Sequence, residues 1–350
     1  MIKAKIVGAT GYGGLGVLEL LLRHPDAEPV CLVATSNVDR PISTIYPHLE
    51  GSCELPVLDA STEAAQQPAD VVFFATPDGV GMHSAGGELE TGARVIDYSG
   101  DFRFDSAEAY ADYARRLGRD PSHASPDLMG EAVYGLTELH RDELGVARLV
   151  GNPGCFAVSC ILGLVPAVKA GLIDLRSIIC DCKTGVSGAG KKMTAATQYA
   201  AVYENMYAYR LSGHQHVCEI ERELTRVAGS GVTLTFTAQV VPLCRGIMST
   251  LYAQLGPGSG RDVLDLYRDF YINDRFVRVL SGNDQTGTMD VGRTNFCNLV
   301  VTVDERTDTL RVVSYIDNLM KGQAGSALQN MNVMFGLDEG LGLDWSGQYP

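Results

Sequence analysis

The first fourteen residues, MIKAKIVGATGYGG, constrain the fold more than any other stretch of the chain. IKAKIV at 2–7 alternates and then turns apolar, as a first strand does. Glycines at 8, 11 and 14 follow at once, and an apolar-periodic helix carrying Leu15, Leu18, Leu21 and Leu22 takes over. Backbone approaches a phosphate closely only where no Cβ intervenes, and a helix N-terminus offers free N–H groups and the positive end of a dipole. The spacing is a GxxGxxG variant of the dinucleotide fingerprint, and its strand–loop–helix setting gives it meaning. Gly8, Thr10, Gly11, Tyr12, Gly13 and Gly14 are the expected cofactor contacts.

Further strand-like segments follow: PVCLVATS at 29–36, DVVFFATP at 70–77 and RVIDYSG at 94–100, with helical stretches between them. Such alternation predicts a doubly wound parallel sheet. Strand ends in such sheets face ligands, which adds Thr76 and Pro77 to the cofactor contacts. The tip of the second strand, Ala34 to Arg40, holds no acid at its end to take the ribose hydroxyls of NAD. Ser36 and Arg40 there suit a 2′-phosphate, so NADP is the expected cofactor; Asp39 in the following loop is a weak counter-signal.

At 350 residues the chain exceeds one ordinary core, and two domains are expected. Past residue 154 the pattern changes to longer strands: SIICDCKTGV, TLTFTAQVVPL, FCNLVVTVDE and TLRVVSYID, with TVDERTDTLRVV reading as a hairpin. The predicted class is α/β, an N-terminal Rossmann doubly wound parallel sheet followed by a part that reads as a mixed or antiparallel sheet with helices. The formal net charge of −14 disfavours nucleic acid and anionic membranes as partners. No stretch approaches a membrane span and no secretory pattern opens the chain, so a cytoplasmic protein with reduced thiols is expected. Nine cysteines are scattered without a CxxC. Cys180 and Cys182 form a CxC in an apolar strand and are read as diverging, so no metal site is expected.

GNPGCFAVSC at 151–160 places Cys155 after a tight loop and at the start of an apolar helix running to about residue 170. A thiol at a helix N-terminus is favoured as thiolate, although most cysteines merely pack. A nucleophilic thiol needs a base, and GHQHVCEIE at 213–221 offers His214 and His216; a structural role or a two-histidine metal site are the other readings. Lys183-Thr184-Gly185-Val186-Ser187-Gly188-Ala189-Gly190-Lys191-Lys192 is a plausible anion cradle, or a solvated loop. Ser99 and Arg103 lie just past a parallel strand's carboxyl end, and Arg245 is a further candidate cation.

Together these motifs resemble the N-acetyl-gamma-glutamyl-phosphate reductase family. GATGYGG, IDYSGDFRF, VYGLTEL, GNPGCF, SGAGKK, GHQHVCEIE, CRGI and DNLMKGQAGSALQNMN occur in that family's order along nearly the whole chain. The resemblance implies Cys155 as nucleophile, His216 as acid/base and His214 near the substrate. Arg103, Ser99, Lys183, Lys191 and Arg245 are candidates for its anionic groups. It also implies NADPH, a small acyl-phosphate substrate and a homodimer or homotetramer. It further implies an NADP-binding Rossmann domain over 1–154, joined by a C-terminal helix at about 318–350, and an α+β catalytic and oligomerisation domain over 155–317. Departures are Ala157-Val158 after the Cys155-Phe156 pair, Gln215 where the family carries Arg, and Cys218 where it carries Pro. Reductases of aspartyl or aminoadipyl phosphate are the alternative; the missing acid-carrier docking charge and the His-x-His pair speak against them.

Overall fold

A computed structural model describes residues 1–256 and 263–347 of the chain. They fall into two compact units: Met1–Asp112 with Asp120–Gly154 and Gln323–Asp344, and Tyr113–Arg119 with Cys155–Gly322 and the segment from Trp345.

The first unit holds seven strands: β1 (Ile2–Val7), β2 (Ala27–Val33), β3 (Val57–Leu58), β4 (Val71–Phe74), β5 (Arg94–Asp97), β6 (Ala132–Tyr134) and β7 (Leu149–Gly151). All pair in parallel, in the order β3-β2-β1-β4-β5-β7-β6. The order reverses at β1, the switch point where a doubly wound sheet opens a crevice for ligand. Every residue of β4, VVFF, is buried, as a strand covered on both faces requires. Helices α1 (Tyr12–Leu21), α2 (Val80–Glu90) and α3 (Thr137–Val146) belong to this unit.

The second unit is a mixed sheet of β8 (Ile178–Thr184), β9 (Tyr207–Tyr209), β10 (Leu234–Val240), β11 (Ile247–Gln254), β12 (Val277–Ser281), β13 (Cys297–Asp304) and β14 (Thr309–Ile316). Its order is β12-β13-β14-β11-β8-β10-β9, and β13–β14 is the hairpin read from the sequence. Helices α4 (Cys155–Lys169), α5 (His216–Ala228) and α6 (Val263–Phe270) accompany it. α4 is buried on every side from Phe156 to Val168, which explains its unbroken apolar sequence. Pro166 sits inside α4 and cannot donate to the carbonyl of Leu162. The Tyr271 hydroxyl supplies that bond at 2.5 Å, and Tyr267 donates to Gly163 O at 2.8 Å.

α4 meets the sheet through a polar seam: Ser159 Oγ is hydrogen-bonded to Ser249 Oγ at 2.8 Å and to Ser314 Oγ at 2.9 Å, donating to one and accepting from the other. Cys160 Sγ lies 3.6 Å from Cys182 Sγ. The expected divergence of Cys180 and Cys182 is thereby corrected. Residues two apart on a strand share a face, and both thiols are buried on the inner face of β8. Among the described residues no cluster of three or more ligating side chains could hold a metal, and no helix is long and apolar enough to cross a membrane.

The C-terminal helix is shorter than 318–350. A π-helical turn at Met320–Ala324 leads into α7 (Gly325–Met334), which stops at Gly336 (φ 70°); residues 348–350 lie outside the described residues. α7 packs against α1 and α3. Its polar face is used: Asn332 Oδ1 lies 3.0 Å from His24 Nε2, and Asn330 Nδ2 donates to Gly135 O at 2.8 Å and Asn152 Oδ1 at 3.1 Å.

Candidate active site

In the first unit the glycine loop leaves the carboxyl end of β1. Gly8 has φ 88°, and a Cβ there would lie 2.3 Å from Ala75 O; one at Gly14 would lie 2.3 Å from Gly8 O. The cradle closes only with glycine at both positions. Tyr46 Oη donates to Thr10 O at 2.8 Å and pins the loop. Gly13 packs on Tyr98 and Gln323. Past β2, Asp39 N donates to Val57 O and Val57 N to Arg40 O, which fixes the loop while Ser36 and Arg40 stay exposed. At the ends of β4 and β5, Thr76 Oγ1 and Tyr98 Oη are buried with no hydrogen-bond partner. A glycine cradle, two unmatched hydroxyls and an exposed Ser/Arg tip fit a nucleotide carrying an extra phosphate. Pro77 is exposed beside Thr76.

The loop before Cys155 is held at every polar atom of Asn152. Its N donates to Asp97 O at 2.7 Å and its Nδ2 to Gln323 O at 3.0 Å. Its Oδ1 accepts from Asn330, and its O accepts from Arg103 Nε at 2.7 Å. Arg103 is buried and also donates through Nη2 to Tyr98 O at 2.5 Å. Ser99 is buried as well; its hydroxyl donates to Asp97 Oδ1 and accepts from Asp101 N at 3.1 Å. Both expected substrate contacts are thus engaged in shaping this loop. Burial beside Asp101 pushes the Asp97 carboxyl up to about 8.

In the second unit Cys155 is the first residue of the 15-residue helix α4. All nine cysteines are free thiols; six are buried, Cys155 and Cys218 are half-buried and Cys244 is exposed. Burial holds Cys160 and Cys182 far above the usual thiol range, which makes them inert. Phe156, the residue after Cys155, packs against both histidines: its ring is 5.7 Å from that of His214 and 6.1 Å from that of His216. His216 opens α5, and its N–H donates to His214 Nδ1 at 3.2 Å. With Nδ1 accepting, His214 carries its proton on Nε2. Burial, and then the charges of His216 and Arg210, push its pKa down to about 2, so His214 is neutral. Residues two apart on a helix diverge by roughly 200°, so Cys218 lies off the His216 face.

Tyr209, not singled out from the sequence, edges His214 at 5.6 Å. Its hydroxyl is held protonated, first by burial and then by the neighbouring Cys155. No local motif announces a lone tyrosine at the end of a three-residue edge strand. Gly322 packs directly on Cys155, where a Cβ would lie 2.7 Å from the Cys155 Cβ.

Arg245 is held by a buried acid. Its Nε lies 3.0 Å from Oδ2 of Asp317, whose side chain is 0% exposed. Asp317 also accepts from Arg293 N at 2.6 Å and Leu319 N at 2.8 Å. Asn318 then ties Gly246 N (2.8 Å) to Ser187 Oγ (3.0 Å), joining the Arg245 turn to the small-residue loop. Lys183 alternates with Cys182, so it points to the sheet face opposite α4, where its ammonium pairs with Asp181. Lys191 is exposed on the loop.

A Rossmann unit followed by a mixed-sheet unit that opens on a cysteine helix and carries a histidine pair defines the semialdehyde dehydrogenase class. The NAD-binding domain family of semialdehyde dehydrogenases matches residues 3–147, and their dimerisation domain family matches residues 155–318. The fold is shared with crystal structures of aspartate semialdehyde dehydrogenase II from Vibrio cholerae with bound ASA (TM-score 0.71, 16% identity, 96% of this chain and 98% of that one) and of the Candida albicans enzyme with NADP (TM-score 0.64, 16% identity, 96% and 98%). Within the class, N-acetyl-gamma-glutamyl-phosphate reductases from Geobacter sp. (strain M21) and Pseudomonas fluorescens (strain SBW25) are 41% and 42% identical, each over 100% of both chains. The chain belongs to the N-acetyl-gamma-glutamyl-phosphate reductase family.

Proposed function

We propose that this chain reduces N-acetyl-γ-glutamyl phosphate to N-acetylglutamate 5-semialdehyde with release of phosphate, a step of arginine biosynthesis. The observation that carries the reading is Cys155 at the head of α4, followed by Phe156, whose ring packs against the His214–His216 pair. The Cys155 thiolate attacks the acyl carbon, the C–O bond to phosphate breaks, and a thioester forms on the enzyme. Bound NADPH supplies the hydride that reduces the thioester carbon. His216 donates a proton to the developing oxyanion and takes it back as the C–S bond breaks, releasing aldehyde and thiolate. His214, neutral and fixed by its bond from His216 N, offers its Nε2–H to substrate oxygen. Backbone N–H groups at the start of α4 face the same oxyanion.

Gly8, Thr10, Gly11, Tyr12, Gly13, Gly14, Thr76 and Pro77 hold the dinucleotide, and Ser36 and Arg40 its 2′-phosphate. Residues 1–154 with α7 make the NADP-binding domain, and 155–317 the catalytic domain. Arg245 takes an anionic group of the substrate. Arg103 and Ser99 serve it through the Asn152 loop, and Arg103 contacts substrate only through donors other than Nε and Nη2.

The active form is a homodimer. The β8–β11–β14–β13 face opposite α4 carries Ile179, Met248, Tyr252, Val313 and Val300 half-exposed or exposed on one side of the sheet, and a second copy covers it. Free thiols throughout suit a cytoplasmic enzyme. The test of the substrate is phosphate-dependent NADP+ reduction with N-acetylglutamate semialdehyde, aspartate semialdehyde and aminoadipate semialdehyde in parallel. The account predicts turnover with the first. Preference for either of the others overturns the substrate and keeps the chemistry.

A further inference from the structure

The proposed substrate carries two anionic groups, the acyl phosphate and the α-carboxylate of the glutamyl chain. The protein carries a net charge of −14, so each group needs its own cation. Arg245, tied by Asn318 to the small-residue loop around Ser187, accounts for one. Lys183 is committed to Asp181 on the far sheet face.

Arg210 is the second. It follows Tyr209 at the end of β9 and is exposed. Its backbone has φ 50°, a region non-glycine residues seldom occupy, and its carbonyl accepts from Gly213 N at 3.1 Å, closing the turn that delivers His214. Nη1 donates to the amide oxygen of Gln215, the residue between the two histidines. The other donors of the guanidinium meet no protein acceptor among the described residues. Its charge is felt by both His214 and Tyr209, whose rings meet at 5.6 Å, and Tyr209 also feels Cys155. A planar cation is thus steadied on one edge by Gln215, with its other donors open, beside His214 and Tyr209. A carboxylate fits that open edge.

We propose that Arg210, steadied by Gln215, binds the α-carboxylate of the substrate and so selects N-acylated amino-acid semialdehydes over simple aldehydes. This rests on the proposed function and names the group that reads the substrate's amino-acid end.

The test compares N-acetylglutamate semialdehyde with 4-acetamidobutanal, which keeps the amide and aldehyde and lacks the carboxylate. Wild type, Arg210→Ala, Arg210→Lys and Gln215→Ala are assayed for phosphate-dependent NADP+ reduction. Arg210→Ala is expected to raise KM for N-acetylglutamate semialdehyde about 10-fold or more, the scale of a lost charge-assisted pair, with the KM for phosphate unchanged. With 4-acetamidobutanal the variant and wild type should agree within about twofold, since no pair is lost. Arg210→Lys should recover part of the loss, and Gln215→Ala should show a smaller shift of the same kind. If 4-acetamidobutanal turns over too slowly, competitive inhibition by N-acetylglutamate against 4-acetamidobutyrate reads the same difference. Equal losses with both aldehydes, an unchanged KM, or a raised KM for phosphate in place of aldehyde would each overturn the assignment. A wild type inactive on N-acetylglutamate semialdehyde and active on another semialdehyde would refute the substrate reading alone; the same comparison, made with that aldehyde and its decarboxylated counterpart, still judges Arg210.

Discussion

His214 accepts the backbone N–H of His216 through Nδ1 at 3.2 Å, so the first histidine of the pair orients the second. Burial, and then the charges of His216 and Arg210, keep His214 neutral in the folded protein, whereas in the unfolded chain it titrates near 6.5. Between pH 6.5 and about 2 the unfolded state therefore binds a proton that the native state refuses. Stability that is present above pH 6.5 is lost as the pH falls through this window. His214→Asn should flatten the dependence of unfolding free energy on pH below 6.5, by at most about 1.4 kcal/mol per pH unit for one proton. Denaturant midpoints of both proteins from pH 4 to 8 check this; parallel curves would contradict a neutral, buried His214.

Asp97 gives the opposite sign. Its folded pKa of about 8 lies above the unfolded value of 3.8, so its contribution is whole below 3.8 and is lost as the pH rises through 8. Asp97→Asn keeps an acceptor for Ser99 N and removes the titration. The variant is expected to lose less thermal stability than wild type between pH 5 and 9, as read by Tm.

Gly322→Ala would press a methyl against the Cys155 Cβ at 2.7 Å. Overpacking of this kind costs about 1–3 kcal/mol, and here the strain falls on the nucleophile. A drop in kcat of about 10-fold or more is expected, since small displacements of a reacting group are costly. Tm should fall by only a few degrees. A variant with full kcat would show that the 317–322 turn does not fix Cys155.

Tyr271→Phe removes the donor that satisfies Leu162 O, the carbonyl Pro166 leaves open in α4. An unsatisfied buried carbonyl costs about 1–3 kcal/mol, and chemical denaturation should show a loss of that size with little change in KM.

What could be read from the sequence was local. GATGYGG gave itself away because a strand, a Cβ-free turn and a helix must be adjacent in the chain to cradle a phosphate. Cys155 was legible because a helix start is marked by its preceding Pro-Gly and following apolar run. The parallel first sheet followed from apolar runs such as VVFF. Partnerships across the chain were not legible. Arg245 and Asp317 are 72 positions apart, and Tyr271 and Leu162 are 109 apart; only the fold brings them together. The sheet face that Lys183 takes depended on the register of β8 against β11, and a cluster of lysines around glycines says nothing about register. Tyr209 and Arg210 escaped notice because their role comes from a short edge strand and a left-handed turn with no composition of their own.

The central claim is that Cys155 carries the acyl group. Enzyme mixed with N-acetylglutamate semialdehyde and NADP+ in the absence of phosphate should give one burst of NADPH per active site and then stop. Peptide mass spectrometry should place the N-acetylglutamyl thioester on Cys155, and Cys155→Ser should show neither burst nor adduct. A burst that survives the substitution, or an adduct on Cys218 or Cys244, would contradict the account.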